Sequence, residues 1–178
     1  MIARINITEQ ITWERGRDIC QEFIALEKDS NVTQIVLFIQ SGGGNTGVIP
    51  TLYELVKMSS KPVVAIGTSV VCSTAASIFM MASRRILFPG TEFLLHKSAR
   101  ELKGSYTADE LEKHLKEMRK NDENFFKPVL DNSNLTSNVL YRKTKMVDWI
   151  LSDNEIAKYG ITTEPYNTKK VKELLFVE

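Results

Sequence analysis

Two uncharged stretches rich in β-branched residues constrain the fold of this chain more than any other feature. They are residues 33–39 (TQIVLFI) and residues 62–66 (PVVAI). Neither stretch alternates between apolar and polar residues, so both faces of each strand must be covered. Such strands are typical of the interior of a parallel sheet, and a right-handed crossover helix connects each to the next. The sequence therefore predicts an α/β fold.

Periodic patterns on either side of these stretches supply the remaining elements. Residues 12–28 and 75–82 have the apolar spacing of helices, whereas residues 2–7 alternate as a short strand does. Thr-Ala-Asp-Glu at 107–110 is a capping box, and helical apolar spacing continues from residue 107 to about residue 131. A helix of that length outreaches a small core, so we expect it to protrude and to serve a partner subunit. Further elements are predicted as short strands at 86–88, 93–95 and 161–163, a helix at 152–159 and a C-terminal helix after residue 168.

The composition limits the classes of function. The chain has 178 residues, of which 43% are hydrophobic, and this predicts a single domain over residues 1–178. Its 23 basic and 22 acidic residues leave a net charge of +1, which argues against nucleic acid or an anionic membrane as a partner. Cys20 and Cys72 form no CxxC pair, and the N-terminus lacks the apolar core of a signal peptide. We therefore expect a cytoplasmic protein.

Residues 62–83 carry no charge and are long enough to span a bilayer. The segment nevertheless contains glycine, serine and threonine in its middle, at 67–69 and 73–74. This interruption favours a buried strand, a polar turn and a buried helix over a transmembrane helix.

A glycine-rich turn, residues 41–47 (SGGGNTG), follows the first buried strand. Gly42 and Gly47 have the spacing of a P-loop, but Val48 and Ile49 stand where that motif requires Lys and Ser or Thr. The turn therefore predicts no nucleotide site, and the sequence implies no cofactor or metal. Its backbone N–H groups could bind an oxyanion or a peptide backbone, or the glycines could simply permit a tight turn.

Three side chains are candidates for nucleophilic catalysis. Ser77 follows two alanines near the start of an apolar helix, although the pattern alone favours a core serine bonded to its own helix. His96 ends an apolar strand, where active sites of open α/β sheets gather, whereas His114 lies among charged residues and is predicted to be solvated. Asp148 lies between apolar residues, where an acid needs a partner or begins a helix.

Taken together, the motifs resemble those of the Clp protease proteolytic subunit. Residues 35–44 (IVLFIQSGGG) resemble a strand followed by the family's glycine turn, and residues 74–77 (TAAS) resemble its nucleophile motif Gln-Ala-Ala-Ser. Residues 85–96 resemble the stretch that ends in the catalytic histidine, and residues 148–161 the segment that opens with the catalytic aspartate. The resemblance covers roughly residues 5–165, with the motifs in the family's order.

The resemblance implies a self-compartmentalised serine endopeptidase. It assigns Ser77 as nucleophile, His96 as general base and Asp148 as the group that orients the histidine. It places the oxyanion donors at the backbone N–H groups of Gly44 and Ile78. It also implies a ClpP/crotonase-like fold of repeated β-β-α units, with the helix at about 107–131 as the handle that packs one ring against another.

The resemblance further implies a peptide substrate, homo-oligomeric rings and an AAA+ unfoldase ATPase as partner. Four departures from the family pattern lead us to expect differences. The sequence begins almost at the first strand, where the family has an axial segment that meets the ATPase. The turn at 67–73 is longer, with Ser73 where a glycine precedes the nucleophile motif; Gly42 replaces a proline; and residues 99–103 (ARELK) are charged where the family has a glycine-rich strand. Two alternatives remain: a non-catalytic ring subunit and a crotonase-type acyl-CoA enzyme.

Overall fold

A computed structural model describes residues 1–176, and within them six strands form one sheet that is covered by helices. The strands are β1 (Ile2–Ile7), β2 (Gln34–Ser41), β3 (Val63–Cys72), β4 (Arg84–Leu87), β5 (Glu92–Leu95) and β6 (Trp149–Ile150). The helices are α1 (Trp13–Lys28), α2 (Val48–Met58), α3 (Thr74–Met81), α4 (Ala108–Asp131), α5 (Ser137–Lys143), α6 (Asp153–Lys158) and α7 (Thr168–Phe176).

The sheet has the order β1-β2-β3-β5-β6, and β1, β2, β3 and β5 run parallel. β3 is long enough to pair with two strands in succession. Its first half pairs with β4 and its last residues with β5, both in parallel. β6 closes the edge beyond β5 as an antiparallel strand. The predicted α/β class is confirmed.

Both faces of the central strands are covered, as their uncharged sequences predict. Ile35, Leu37 and Ile39 of β2 face the main core, where α1, α2, α3 and the C-terminal part of α4 pack. Val36 faces the opposite side, where Val171 and the rest of α7 cover it. The alternation of side chains along a strand therefore supplies both cores from one apolar run.

Several sequence-based expectations need correction. The strand predicted at 62–66 continues as β3 to Cys72, so most of the predicted long turn at 67–73 is strand. The strand predicted at 161–163 is absent from the described chain: the Thr163 N–H donates to the Arg85 carbonyl, and Thr163 Oγ1 accepts from the Arg85 N–H. The sequence did not predict β6, with two residues, or α5, with seven, because both are too short to show a periodic pattern.

The uncharged residues 62–83 form β3 and the fully buried α3 rather than one helix. Among residues 1–176, no helix is both long and apolar enough to cross a membrane.

The long helix α4 begins where the capping box predicts. Thr107 and Glu110 exchange side-chain to backbone hydrogen bonds at its N-terminus. Its buried residues lie from Asp122 onward, so the first half projects from the body of the protein. Leu111 and Leu115 in that projecting half are 46% and 47% exposed.

Arg85 joins three parts of the chain from a buried position. Its guanidinium donates hydrogen bonds to the carbonyl oxygens of Ala82, Asn132, Gly160 and Ile161. Burial lowers its pKa, but an arginine remains charged at neutral pH. The four carbonyls satisfy that buried charge and fix the ends of α4 and α6 against β4.

We expect Arg85→Met to lower the free energy of unfolding by about 3 kcal/mol or more, because four buried carbonyl groups lose their donor. The measurement is urea denaturation followed by circular dichroism. Arg119→Met is the control, because Arg119 is exposed on α4. Equal denaturation midpoints for the two variants would show that Arg85 has no such role.

Candidate active site

The pairing of β5 with β6 places a histidine opposite an aspartate. Leu94 pairs with Ile150 and Leu95 with Trp149. The next position in this antiparallel register brings His96 opposite Asp148. His96 Nδ1 lies 3.4 Å from Asp148 Oδ1, which is longer than a tight hydrogen bond.

The segment after Asp148 is held by a capping box, as the sequence predicts. Glu155 accepts hydrogen bonds from Lys143 Nζ, the Ser152 N–H and Trp149 Nε1. The bonds from Lys143 and Ser152 lower the pKa of Glu155 to about 2. This carboxylate therefore stays ionised and anchors the residues that follow Asp148.

Ser73 connects β3 to α3 in a strained backbone conformation. Its φ of 56° and ψ of −128° are uncommon for a residue with a side chain. The Ser73 N–H donates to the Leu94 carbonyl at 3.0 Å, which ties the turn to β5. The Ser73 side chain therefore lies at the start of a buried helix. Its backbone partner, Leu94, is two residues before His96.

His96 links this serine to the aspartate. His96 Nε2 lies 2.8 Å from Ser73 Oγ, which is a good hydrogen-bond distance. If the imidazole is neutral and carries its proton on Nδ1, Nε2 accepts a hydrogen bond from the Ser73 hydroxyl. The Nδ1–H group then points toward Asp148. The side chain of His96 is 33% exposed and that of Asp148 is 65% exposed.

The predicted pairing of Ser77 with His96 is not what the structure contains. Ser77 is fully buried on α3, and its hydroxyl donates to the Phe125 carbonyl at 2.6 Å. It lies one helical turn beyond Ser73, on the side that packs against α4. Ser77 is therefore a core serine, but it bonds to α4 rather than to its own helix, and Ser73 lies beside His96 in its place.

The backbone N–H groups predicted as oxyanion donors differ in whether they are free to bind a ligand. Ile78 is buried in the second turn of α3, where backbone N–H groups are used within the helix. Thr74 is the residue after Ser73, and its N–H is one of the free donors of the first turn. Within the described chain, the Gly44 N–H has no hydrogen-bond partner, so it remains a candidate donor.

The glycine turn lies directly against the Ser73 elbow. The Gly43 carbonyl accepts from the Ile11 N–H at 2.9 Å, and Thr74 Oγ1 donates to the Gly44 carbonyl at 2.9 Å. A Cβ atom on Gly43 would stand 2.7 Å from Ser73 Cβ and 2.8 Å from the Thr74 nitrogen. Only glycine permits this approach, which brings the glycine turn into contact with Ser73 and the start of α3.

A cavity of about 680 Å³ opens beside this group. Ser73, His96 and the glycine turn line one part of it, and side chains of α4 and the segment before α4 line another. Cys72, next to Ser73, does not compete as a nucleophile. Burial and the nearby Glu92 carboxylate raise the pKa of its thiol to about 11, so it is protonated at neutral pH.

The sequence carries a weak signal for Ser73. The Ala-Ala-Ser pattern favours Ser77, whereas Ser73 stands out only as a serine at the position of a family glycine. The polar residue at the junction between a buried strand and a buried helix is the position at which the backbone must turn sharply.

The order of the strands, the sharp turn at Ser73 and the position of His96 after β5 together define an α/β protein of ClpP-like fold. A ClpP1 mutant from Listeria monocytogenes has the same fold, with a TM-score of 0.79 and 25% identity over 94% of this chain and 92% of that one.

The chain belongs to the Clp protease family, whose family model matches residues 2–167. The ATP-dependent Clp protease proteolytic subunit 2 of Treponema denticola is 25% identical to this chain over 169 residues, which cover 94% of this chain and 83% of the relative. Subunit 3 from Rhizobium etli is 28% identical over 161 residues, covering 89% and 81%. The proteolytic subunits of this family are peptidases that assemble into oligomeric rings.

We expect Gly43→Ala to lower the free energy of unfolding by about 1–3 kcal/mol, because φ is +94° and a Cβ would press on Ser73. Gly42→Ala is the matched control, since a Cβ there meets nothing within 4 Å. We expect that control to stay within about 0.5 kcal/mol of the parent protein. Thermal and urea denaturation would reveal the difference, and equal loss in both variants would contradict it.

Proposed function

We propose that this protein is a serine endopeptidase in which Ser73 is the nucleophile, His96 the general base and Asp148 the orienting acid. The observation that carries the proposal is the 2.8 Å contact between Ser73 Oγ and His96 Nε2. Family membership supports peptide hydrolysis as the reaction. The strained elbow at Ser73 also presents its hydroxyl to the open cavity.

The reaction proceeds by acyl transfer. Ser73 Oγ attacks the carbonyl carbon of the peptide bond while His96 Nε2 takes its proton. The carbonyl oxygen becomes an oxyanion, and the N–H groups of Gly44 and Thr74 donate to it. His96 then gives the proton to the leaving amine, which leaves an acyl ester on Ser73. A water molecule, deprotonated by His96, hydrolyses that ester and restores the serine.

We also propose that the chain self-associates into rings through α4, which would act as the handle. Leu111 and Leu115 form an exposed apolar stripe on its projecting half. The region around Asp148 supports the same proposal, because Met146 is 94% and Val147 59% exposed.

We propose that the substrates are unfolded or short peptides that enter the chamber, and that the protein acts in the cytoplasm. The relatives' names include the word ATP-dependent, which supports an AAA+ ATPase as a further partner.

We expect a fluorophosphonate probe to label Ser73, as located by mass spectrometry. Ser73→Ala and His96→Ala should abolish the adduct, with peptide hydrolysis falling by about 10³-fold or more. Ser77→Ala is the matched serine variant. It should retain the adduct and lose about 1 kcal/mol of stability, because only the bond to the Phe125 carbonyl is removed.

An adduct on Ser77 would reinstate the original sequence-based assignment. No adduct on folded, oligomeric protein would favour the non-catalytic ring subunit instead. Both results would refute the proposed role of Ser73.

We expect Asp148→Asn to reduce kcat by about 10²–10⁴-fold without changing the denaturation midpoint, because the carboxylate is exposed and orients only His96. Hydrolysis of a fluorogenic peptide and urea denaturation provide the two measurements. Asp153→Asn is the control, since Asp153 is an exposed carboxylate at the start of α6. Unchanged kcat in Asp148→Asn would exclude Asp148 from the reaction.

A further inference from the structure

The cavity beside Ser73 has an uneven distribution of charge. Apart from His96, the titratable side chain that lines it is Arg100, and among residues 1–176 no carboxylate lines it. Its remaining walls are backbone, small residues and neutral side chains such as Met118 and Asn121. Within this cavity a bound substrate therefore meets one guanidinium and no carboxylate, whereas Lys97 and Asp148 lie on the neighbouring surface beyond His96.

Arg100 is held in place from one side only. Its Nη1 donates to Glu117 Oε2 at 2.8 Å and contacts His114 Nδ1 at 3.0 Å, both on α4. Tyr106 packs edge-on against the His114 ring, so the predicted solvated histidine is in fact part of a cluster. Within the described chain, Nε and Nη2 of Arg100 have no hydrogen-bond partner. Those two nitrogens form the edge of a guanidinium that binds a carboxylate with two parallel hydrogen bonds.

The backbone that carries Arg100 is fixed to α4 as well. The Ser98 N–H and Oγ donate to the buried Asp122 carboxylate at 2.8 and 2.7 Å. Ser98 lies midway in sequence between His96 and Arg100. One buried carboxylate therefore sets the position of Arg100 relative to His96.

The Glu117 carboxylate does not cancel this cation for a ligand. Glu117 is 45% exposed and contacts only Nη1, so solvent screens it and the Nε–Nη2 edge remains available. A ligand carboxylate on that edge would lie on the opposite side of the guanidinium from Glu117. The ligand would also gain the directional hydrogen bonds that a charge alone does not give.

We propose that Arg100 is a specificity-determining residue that selects peptides with an aspartate or glutamate side chain near the bond held at Ser73. This inference rests on the proposed peptidase function for its biological meaning. The recognition itself requires only the cavity and the guanidinium, so it can be measured without turnover.

The test is binding of short alanine-rich fluorescent peptides to the Ser73→Ala protein by fluorescence anisotropy. One glutamate is moved along the peptide, and each peptide is compared with its glutamine twin. At the position that meets Arg100, we expect glutamate to bind roughly three- to tenfold more tightly than glutamine, with the difference shrinking as salt rises. Arg100→Gln in the same background should remove the difference, and Arg100→Lys should keep part of it.

Arg119→Gln is the matched control, because it removes an exposed cation of α4 that does not line the cavity. It should leave the glutamate preference intact. Equal binding of the twins at every position, or a preference that survives Arg100→Gln, would overturn the inference. Failure of the proposed function would look different: Ser73 would take no fluorophosphonate adduct while the glutamate preference persisted.

Discussion

The hydrogen bond from the Ser73 N–H to the Leu94 carbonyl is the link on which the site depends. It fastens the end of β3 to β5, and the register of β5 with β6 then brings Asp148 to His96. Three side chains far apart in sequence therefore meet through backbone geometry alone. A single-residue slip of β5 against β3 would turn His96 to the other face of the sheet and away from Ser73, and a slip of β6 against β5 would move Asp148 away from His96.

The burial of α3 explains why one serine is available and the other is not. All eight residues of this helix are buried, so only its first turn can face the cavity. Ser73 lies just before that turn, whereas Ser77 lies a turn deeper and bonds to α4. The same depth leaves the Thr74 N–H free and uses that of Ile78 within the helix. The proposed nucleophile and one of the two proposed oxyanion donors therefore both come from the helix start.

The sequence predicted the α/β class and the positions of most strands and helices, and it singled out His96, Asp148 and Gly44, which lie at the candidate site. Those features depend on apolar periodicity and on strand ends, which one sequence displays. The choice between Ser73 and Ser77 depends on where β3 stops, and β3 continues through Gly67 and the polar residues Thr68 and Ser69. A positive φ at a serine has no signature in composition. The contacts of Arg100 depend on how residues 97–106 lie against α4, which periodicity does not specify.

Asp122 couples the position of α4 to the chain segment that follows β5. Half of this helix is packed in the core and half projects, and Asp122 lies at the boundary between the two. Because the Asp122 carboxylate accepts two hydrogen bonds from Ser98, a tilt of the projecting half would move the chain segment between His96 and Arg100. The proposed proton transfer at His96 and the proposed side-chain selection at Arg100 thus depend on the same two hydrogen bonds. A partner bound to the outer half of α4 would therefore affect both together.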